Sequence, residues 1–332
     1  MTLSLADESA LLRELRSLAD QGRYREVADR LTVLPRERFA GRTPFLMLAA
    51  EVHGRLGDLP VADRWASEAF ETAHGAGDWR VETRALNYRG NIAIERGDSS
   101  SAERFFETAL ERFRQDPDHA AQARCLNNLG VVANLRGNAP GALANYQLAL
   151  AAYQQAGSIR GMAETHHNIG ISRRDRGDLD GALAAADEAV RLARQSGDAS
   201  LAAQALAGRA EVHLALGETA LAAVEIERAR QACEAIQDPV GQAETWRLGA
   251  AVARAGGDVA GAVRQLQRAA ELARGPGGGS AHTLAEIERD LGAALAAVGD
   301  GAGARAARER ARALYQGLGA SHAAEALSAL LA

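Results

Sequence analysis

The sequence predicts an all-α solenoid of consecutive helix pairs, and three observations predict it. A glycine followed by a polar residue recurs every 40 residues, at Gly57-Asp58, Gly97-Asp98, Gly137-Asn138, Gly177-Asp178, Gly217-Glu218 and Gly257-Asp258, with Gly299-Asp300 after 42. A capping residue keeps the same register: Asp78, Asp118, Ser158, Asp198 and Asp238 stand 40 apart, and Ser280 follows at 42. Twenty-one positions at fixed offsets from the turn glycine are all Ala or Gly. A fixed period of this size marks stacked repeats, in which each unit buries its apolar face on its neighbours.

Each unit reads as two helices. Helix A starts at the Asp or Ser cap, whose side-chain oxygen accepts an orphan N–H of the first turn. It stops at the glycine, which takes the left-handed conformation that ends a helix. Helix B starts just after, with Pro60 and Pro140 at its first turn, where a missing N–H costs nothing. In chain order this gives an atypical N-terminal pair over 1–40, with Gly22 lying 35 before Gly57. Seven helix pairs over 41–318 follow, then a capping helix over 319–332 in "SHAAEALSALL". The segment "GPGGGS" at 275–280 accounts for the one two-residue lengthening of the period.

The small positions state where two helices approach closely. Five residues after each turn glycine stand Ala62, Ala102, Ala142, Ala182, Ala222, Ala262 and Ala304; twelve after it, Ala69, Ala109, Ala149, Ala189, Ala229, Ala269 and Ala311. Seven before it stand Ala50, Gly90, Gly130, Gly170, Ala210, Ala250 and Gly292. A bulky residue there is expected to force helix A from helix B. Hydrophobic residues make up 47% of the chain and aromatics only 4%, a mix that fits Ala-rich helices better than strands.

These residues resemble the tetratricopeptide repeat. Gly130, Gly137, Ala142 and Ala149 match its pattern, as do Gly170, Gly177, Ala182 and Ala189, and Trp246 falls at its helix A Trp position. The 40-residue period departs from the usual 34 and is similar to the longer arrays of kinesin light chains and of bacterial regulatory proteins. The resemblance implies a right-handed superhelix with helices A on the concave face, and a protein or peptide as partner.

Composition narrows the function. All 38 basic residues are Arg, which excludes a Walker phosphate loop and a Schiff-base lysine. A net charge of −5 and a pI near 6.0 give no signal for nucleic acid. Cys125 and Cys233 form no C-x-x-C and read as packing residues of a reducing compartment. The acidic N-terminus lacks a signal peptide's basic start, and no apolar run reaches membrane-spanning length. A cytoplasmic protein without cofactor or metal, monomeric or weakly dimeric, is expected. His166-His167 suggests no metal, because adjacent helical residues face apart. Trp79, just after its cap, reads as a helix-entry packing residue.

Binding is expected on the exposed face of helices A. Ten before the turn glycine stand Met47, Asn87, Asn127, His167, Ala207, Arg247 and Arg289, and next to them Tyr88, Asn128, Asn168 and Asp290. Amides and arginines concentrate in the units ending at Gly97, Gly137 and Gly177. The candidate contacts are Arg84, Asn87, Tyr88, Asn91, Arg124, Asn127, Asn128, Asn134, His167, Asn168 and Arg174. An Asn amide offers one acceptor and two donors, so a row of them suits an extended peptide backbone. The arginines suit acidic side chains or a terminal carboxylate. The clamp by which some tetratricopeptide repeats hold chaperone tails is not expected: Asn91 and Asn128 match it, but Asn87 and Glu164 stand where it has basic residues. The reading is a non-catalytic scaffold that holds a partner's extended segment in its groove. The alternative is a ligand-sensing regulator whose shape change acts on a separate effector chain.

Overall fold

A computed structural model describes residues 5–33, 42–113, 118–275, 281–318 and 320–331. Among them are seventeen α-helices and no strand. They run α1 (Leu5–Asp20), α2 (Tyr24–Val33), α3 (Thr43–Arg55), α4 (Leu59–Ala76), α5 (Trp79–Glu95), α6 (Ser99–Arg112), α7 (His119–Leu135), α8 (Ala139–Gln155) and α9 (Ile159–Asp175). Then come α10 (Leu179–Ser196), α11 (Ala199–Ala215), α12 (Thr219–Ala235), α13 (Pro239–Ala255), α14 (Val259–Arg274), α15 (Ala281–Ala297), α16 (Gly301–Leu318) and α17 (Ser321–Ala329). The expected cap Ser280 and the neighbouring 276–279 lie outside the described residues.

The chain divides into two compact units, residues 1–116 and 117–332. In the first, α1, α2 and α3 share an apolar core around Leu15, Val27, Leu46 and Val52. In the second, each helix A (α7, α9, α11, α13, α15) packs on its own helix B, those from α9 onward pack also on the helix B before them, and α17 closes on α16. Helices A also touch one another from α7 to α13, whereas the principal contacts of helices B are with helices A. Helices A are therefore the inner layer of the stack and helices B the outer one.

One dipeptide does two jobs at every A-to-B turn but that of Gly217-Glu218. Gly57, Gly97, Gly137, Gly177, Gly217, Gly257 and Gly299 all have φ between 73° and 85°, the conformation glycine adopts without Cβ strain. The next residue's N–H reaches back to close the helix: Asp98 bonds the Ala93 carbonyl at 2.8 Å, and Asp178 that of Arg173 at 3.0 Å. Its carboxylate meanwhile caps helix B, as Asp98 does by accepting from the Ser101 N–H at 3.0 Å. Asp58, Asn138, Asp178, Asp258 and Asp300 cap in the same way. Glu218 does not cap. Its side chain bonds His213 Nδ1 at 2.7 Å instead. The caps expected at helix A are also made, by Asp78, Asp118, Ser158, Asp198 and Asp238. Each such cap contributes about 1 kcal/mol.

The small residues are buried as expected, with Ala62, Ala102, Ala142, Ala182 and Ala222 all at 0% exposure. At the glycines, the constraint comes from a ring. A Cβ on Gly90 would lie 2.4 Å from Phe106, and one on Gly130 would lie 2.4 Å from Tyr146. Gly170 differs. Its nearest neighbour would be the Ala182 carbonyl oxygen at 3.5 Å, an ordinary contact. Steric necessity thus holds at Gly90 and Gly130 and does not extend to Gly170, because α10 presents Ala186 where α6 and α8 present a ring.

Candidate functional site

The candidate residues divide between the units. Arg84, Asn87, Tyr88 and Asn91 lie on α5 of the first unit. Arg84 pairs with Glu51 of α3. The Tyr88 hydroxyl donates to the Ala50 carbonyl at 3.0 Å, its oxygen filling the space a Cβ on Gly54 would need. Burial, reinforced by Glu51 and Glu95, pushes the Tyr88 phenol up, so it remains a neutral donor. Asn87 and Asn91 are half-buried on the same helix.

In the second unit the structure brings several candidates together as rungs between successive helices A. Asn127 is only 8% exposed, and its Oδ1 accepts from Asn168 Nδ2 at 3.1 Å. Asn134 Oδ1 accepts from the Ser172 hydroxyl at 3.0 Å. Both bonds join α7 to α9. The next rung joins α9 to α11: Arg174 donates to Glu211 at 2.7 Å and to Asp175 at 3.0 Å. Each neutral rung is worth about 1 kcal/mol net. The three asparagines of α7 therefore sit in its helix without breaking it. Two of them find acceptor roles across the seam, and Asn128 is half-buried beside them.

His167 is half-buried, its ring against α11 where a Cβ on Gly208 would lie 2.6 Å away. Burial, helped by the Arg174 charge, lowers its pKa to about 4. The imidazole is thus neutral near pH 7 and presents one donor and one acceptor. Arg124 is exposed at the start of α7.

Farther along the same inner face lies an open cavity of about 460 Å³, walled by α9, α11, α13, α14 and α15, a size that suits a small ligand. Its charged wall is Arg174, Glu211, Arg247, Arg254, Arg289 and Asp290. Leu214, Leu248 and Leu266 supply apolar wall. Arg247 donates to Asp290 at 3.1 Å, a rung between α13 and α15, and to Glu244 at 2.9 Å. Burial opposes the Arg247 charge, but Glu244, Glu286 and Asp290 more than offset it and hold the guanidinium ionised. Of this cluster only Arg174 is among the candidate contacts. Its signal was present: Asn134, Arg174, Leu214 and Arg254 share one register three before the turn glycine, and Asn127, His167, Arg247 and Arg289 share the register ten before it.

Other sequence candidates have structural roles. Cys125 and Cys233 are free and buried. Burial pushes their thiols up to about 12 and about 11, which keeps them unreactive. Trp79 packs edge-on against Phe113 with ring centroids 5.8 Å apart. Among the described residues no cluster of three His, Cys, Asp or Glu is placed to hold a metal, and no helix is long and apolar enough to cross a membrane.

The family model described as "Tetratricopeptide repeat" matches residues 82–155. The search of curated proteins gave no match. Among solved structures, the chain is similar to a Rap protein complexed with competence and sporulation factor, at 16% identity, 98% of this chain, 97% of that one and a TM-score of 0.59. A tetratricopeptide repeat protein from Parabacteroides merdae is similar at 17% identity, 86% of this chain, 98% of that one and a TM-score of 0.57. BtubC (BKLC) from P. vanneervenii is similar at 21% identity, 67% of this chain, 91% of that one and a TM-score of 0.51. With the repeat pattern, the glycine turns and the helix pairing in place, these likenesses identify the fold as a tetratricopeptide-repeat-like α-solenoid.

Proposed function

We propose that this protein is a non-catalytic binding scaffold that holds an extended peptide segment of a partner protein on the inner face of its second unit. The observation that carries the reading is the row of amide, imidazole and guanidinium groups on α7 and α9. Asn127, Asn134, His167, Asn168 and Arg174 all lie on the helix A layer, where the Asn127–Asn168 bond, Ser172 and Glu211 orient the amides and the guanidinium. Asn127 accepts from Asn168, and its own two N–H groups make no hydrogen bond among the described residues. Such preset amides suit the N–H and C=O groups of a peptide backbone, whatever its sequence. The Rap protein whose structure this fold resembles was solved with a factor bound, in keeping with binding on this architecture. Arg124 and Asn128 of α7 belong to the same reading as further contacts, and Arg84, Asn87, Tyr88 and Asn91 are proposed as contacts of the first unit by itself.

A displayed library of random peptides, selected on the wild-type chain and re-measured on Asn168→Ala and Arg124→Ala, tests it. Selected peptides are expected to bind both variants at least about tenfold more weakly, the loss of one charge-assisted or two neutral hydrogen bonds. Selected peptides that bind wild type and both folded variants equally would show that this face is not the binding site.

A further inference from the structure

The polar rungs along the inner face of the second unit are interrupted once. Asn127–Asn168 and Asn134–Ser172 join α7 to α9, Arg174–Glu211 joins α9 to α11, and Arg247–Asp290 joins α13 to α15. Between α11 and α13, no ion pair or side-chain hydrogen bond is made among the described residues, although the two helices touch. The 460 Å³ cavity straddles this seam.

Charge in the cavity is unbalanced. Four guanidiniums, Arg174, Arg247, Arg254 and Arg289, face two carboxylates, Glu211 and Asp290. Asp175, Glu244 and Glu286 hold Arg174, Arg247 and Arg289 from outside the wall, so they fix those guanidiniums without filling the cavity and leave Arg254 as the unneutralised member. Asp290 is shared by Arg247 and Arg289. The exposed Arg254 guanidinium, in the last turn of α13, makes no ion pair or hydrogen bond among the described residues. Arginines fixed around a space with an unneutralised member are suited to an oxyanion, which their fork geometry binds in a bidentate manner. Leu214, Leu248 and Leu266 meanwhile leave apolar surface for the rest of the ligand.

We infer that this cavity is a binding site for a small molecule with one oxyanion head, carboxylate or phosphate monoester, on a short apolar body. The head bridges Arg254 and Arg247 of α13 to Arg174 of α9, and through the Arg174–Glu211 pair ties α13 to α11 across the seam that has no rung of its own. The site shares Arg174 with the row on α7 and α9 but lies mainly on α11, α13 and α15, and does not depend on peptide capture at that row. Occupancy ties α13 to the helices before it and reduces local opening of the seam.

The test uses the full chain with phenylphosphate, benzoate and benzyl alcohol as probes, measured by calorimetry and by amide hydrogen exchange. One or both anions are expected to bind one to one, while the neutral alcohol is not. Slowed exchange is expected in α11 and α13. The preferred anion identifies the head group. Arg254→Gln is expected to weaken binding at least about tenfold, with partial recovery in Arg254→Lys. Arg289→Gln provides a second variant at an exposed position, with weakening expected there too. Neither anion binding better than benzyl alcohol would overturn the inference, as would affinities unchanged in both folded Gln variants. An acetylated and amidated peptide with a single Glu among alanines is the last arm. If it binds through Arg254 where the small anions do not, the cavity belongs to a peptide site and the small-molecule assignment fails.

Discussion

Gly130 and Gly170 occupy the same register one repeat apart, in the interiors of α7 and α9, yet replacing each by Ala should have opposite effects. In either helix the substitution gains about 1 kcal/mol of helix propensity. The surroundings then separate the two. At Gly130 the new Cβ meets Tyr146 at 2.4, 2.5 and 2.9 Å, and Tyr146 is 1% exposed with nowhere to move. Overpacking of this kind costs about 1–3 kcal/mol. At Gly170 the nearest atoms lie at 3.5, 3.7 and 3.9 Å, so little opposes the propensity gain. Because propensity cancels between the variants, Gly130→Ala should be less stable than Gly170→Ala by the packing cost alone, about 1–3 kcal/mol. Gly170→Ala should exceed wild type by up to about 1 kcal/mol. Urea unfolding followed by circular dichroism measures this. The slopes must match before midpoints are converted, since repeat arrays lose cooperativity. Adding Tyr146→Val to Gly130→Ala should recover part of the loss. A Gly130→Ala midpoint at or above that of Gly170→Ala would refute the ring-into-glycine account.

Two further outcomes follow from particular side chains. His167 titrates at about 4 in the folded chain against 6.5 unfolded. The neutral form is therefore the one that folding favours: its contribution is complete above about pH 6.5 and is lost as pH falls towards 4. The full span is about 3 kcal/mol. Relative to His167→Gln, wild type should lose stability between pH 6.5 and 5 at up to about 1.4 kcal/mol per unit, and parallel curves would show that the ring is not buried neutral. Gln237 has φ of 53° at the end of α12, where Gly77, Gly157 and Gly197 close earlier helices B at 66° to 73°. Midpoints should rank Gln237→Gly at or above wild type and Gln237→Val about 1 kcal/mol below it; a Val variant as stable as wild type would contradict the left-handed assignment.

Much of this architecture was legible in the sequence because each repeat solves the same local problem. The turn glycines and the Asp and Ser caps act within a few residues of themselves, so their period located helix ends without reference to the fold. The alanines at 0% exposure were legible for a related reason, since close approach at one offset in every repeat leaves one kind of residue. Which asparagines face one another was not legible. Asn127 meets Asn168 across 41 residues, and Asn134 meets Ser172 across 38. The stagger of neighbouring helices, not the period of 40, chooses these partners. Nor did the pattern distinguish Gly130 from Gly170, because the difference lies in Tyr146 of α8 against Ala186 of α10.

The sequence by itself determined an all-α array of helix pairs, its turns, its caps and the layer on which polar groups gather, since all of these rest on local backbone chemistry and repetition. Only the tertiary structure decided that Asn127 and Asn134 serve as rungs, that the α11–α13 seam has none, and that Arg174, Arg247, Arg254 and Arg289 meet around one cavity. Side chains from α9 to α15 share a space only once packing sets the rotation and offset of each helix against the next, and no local rule carries that information.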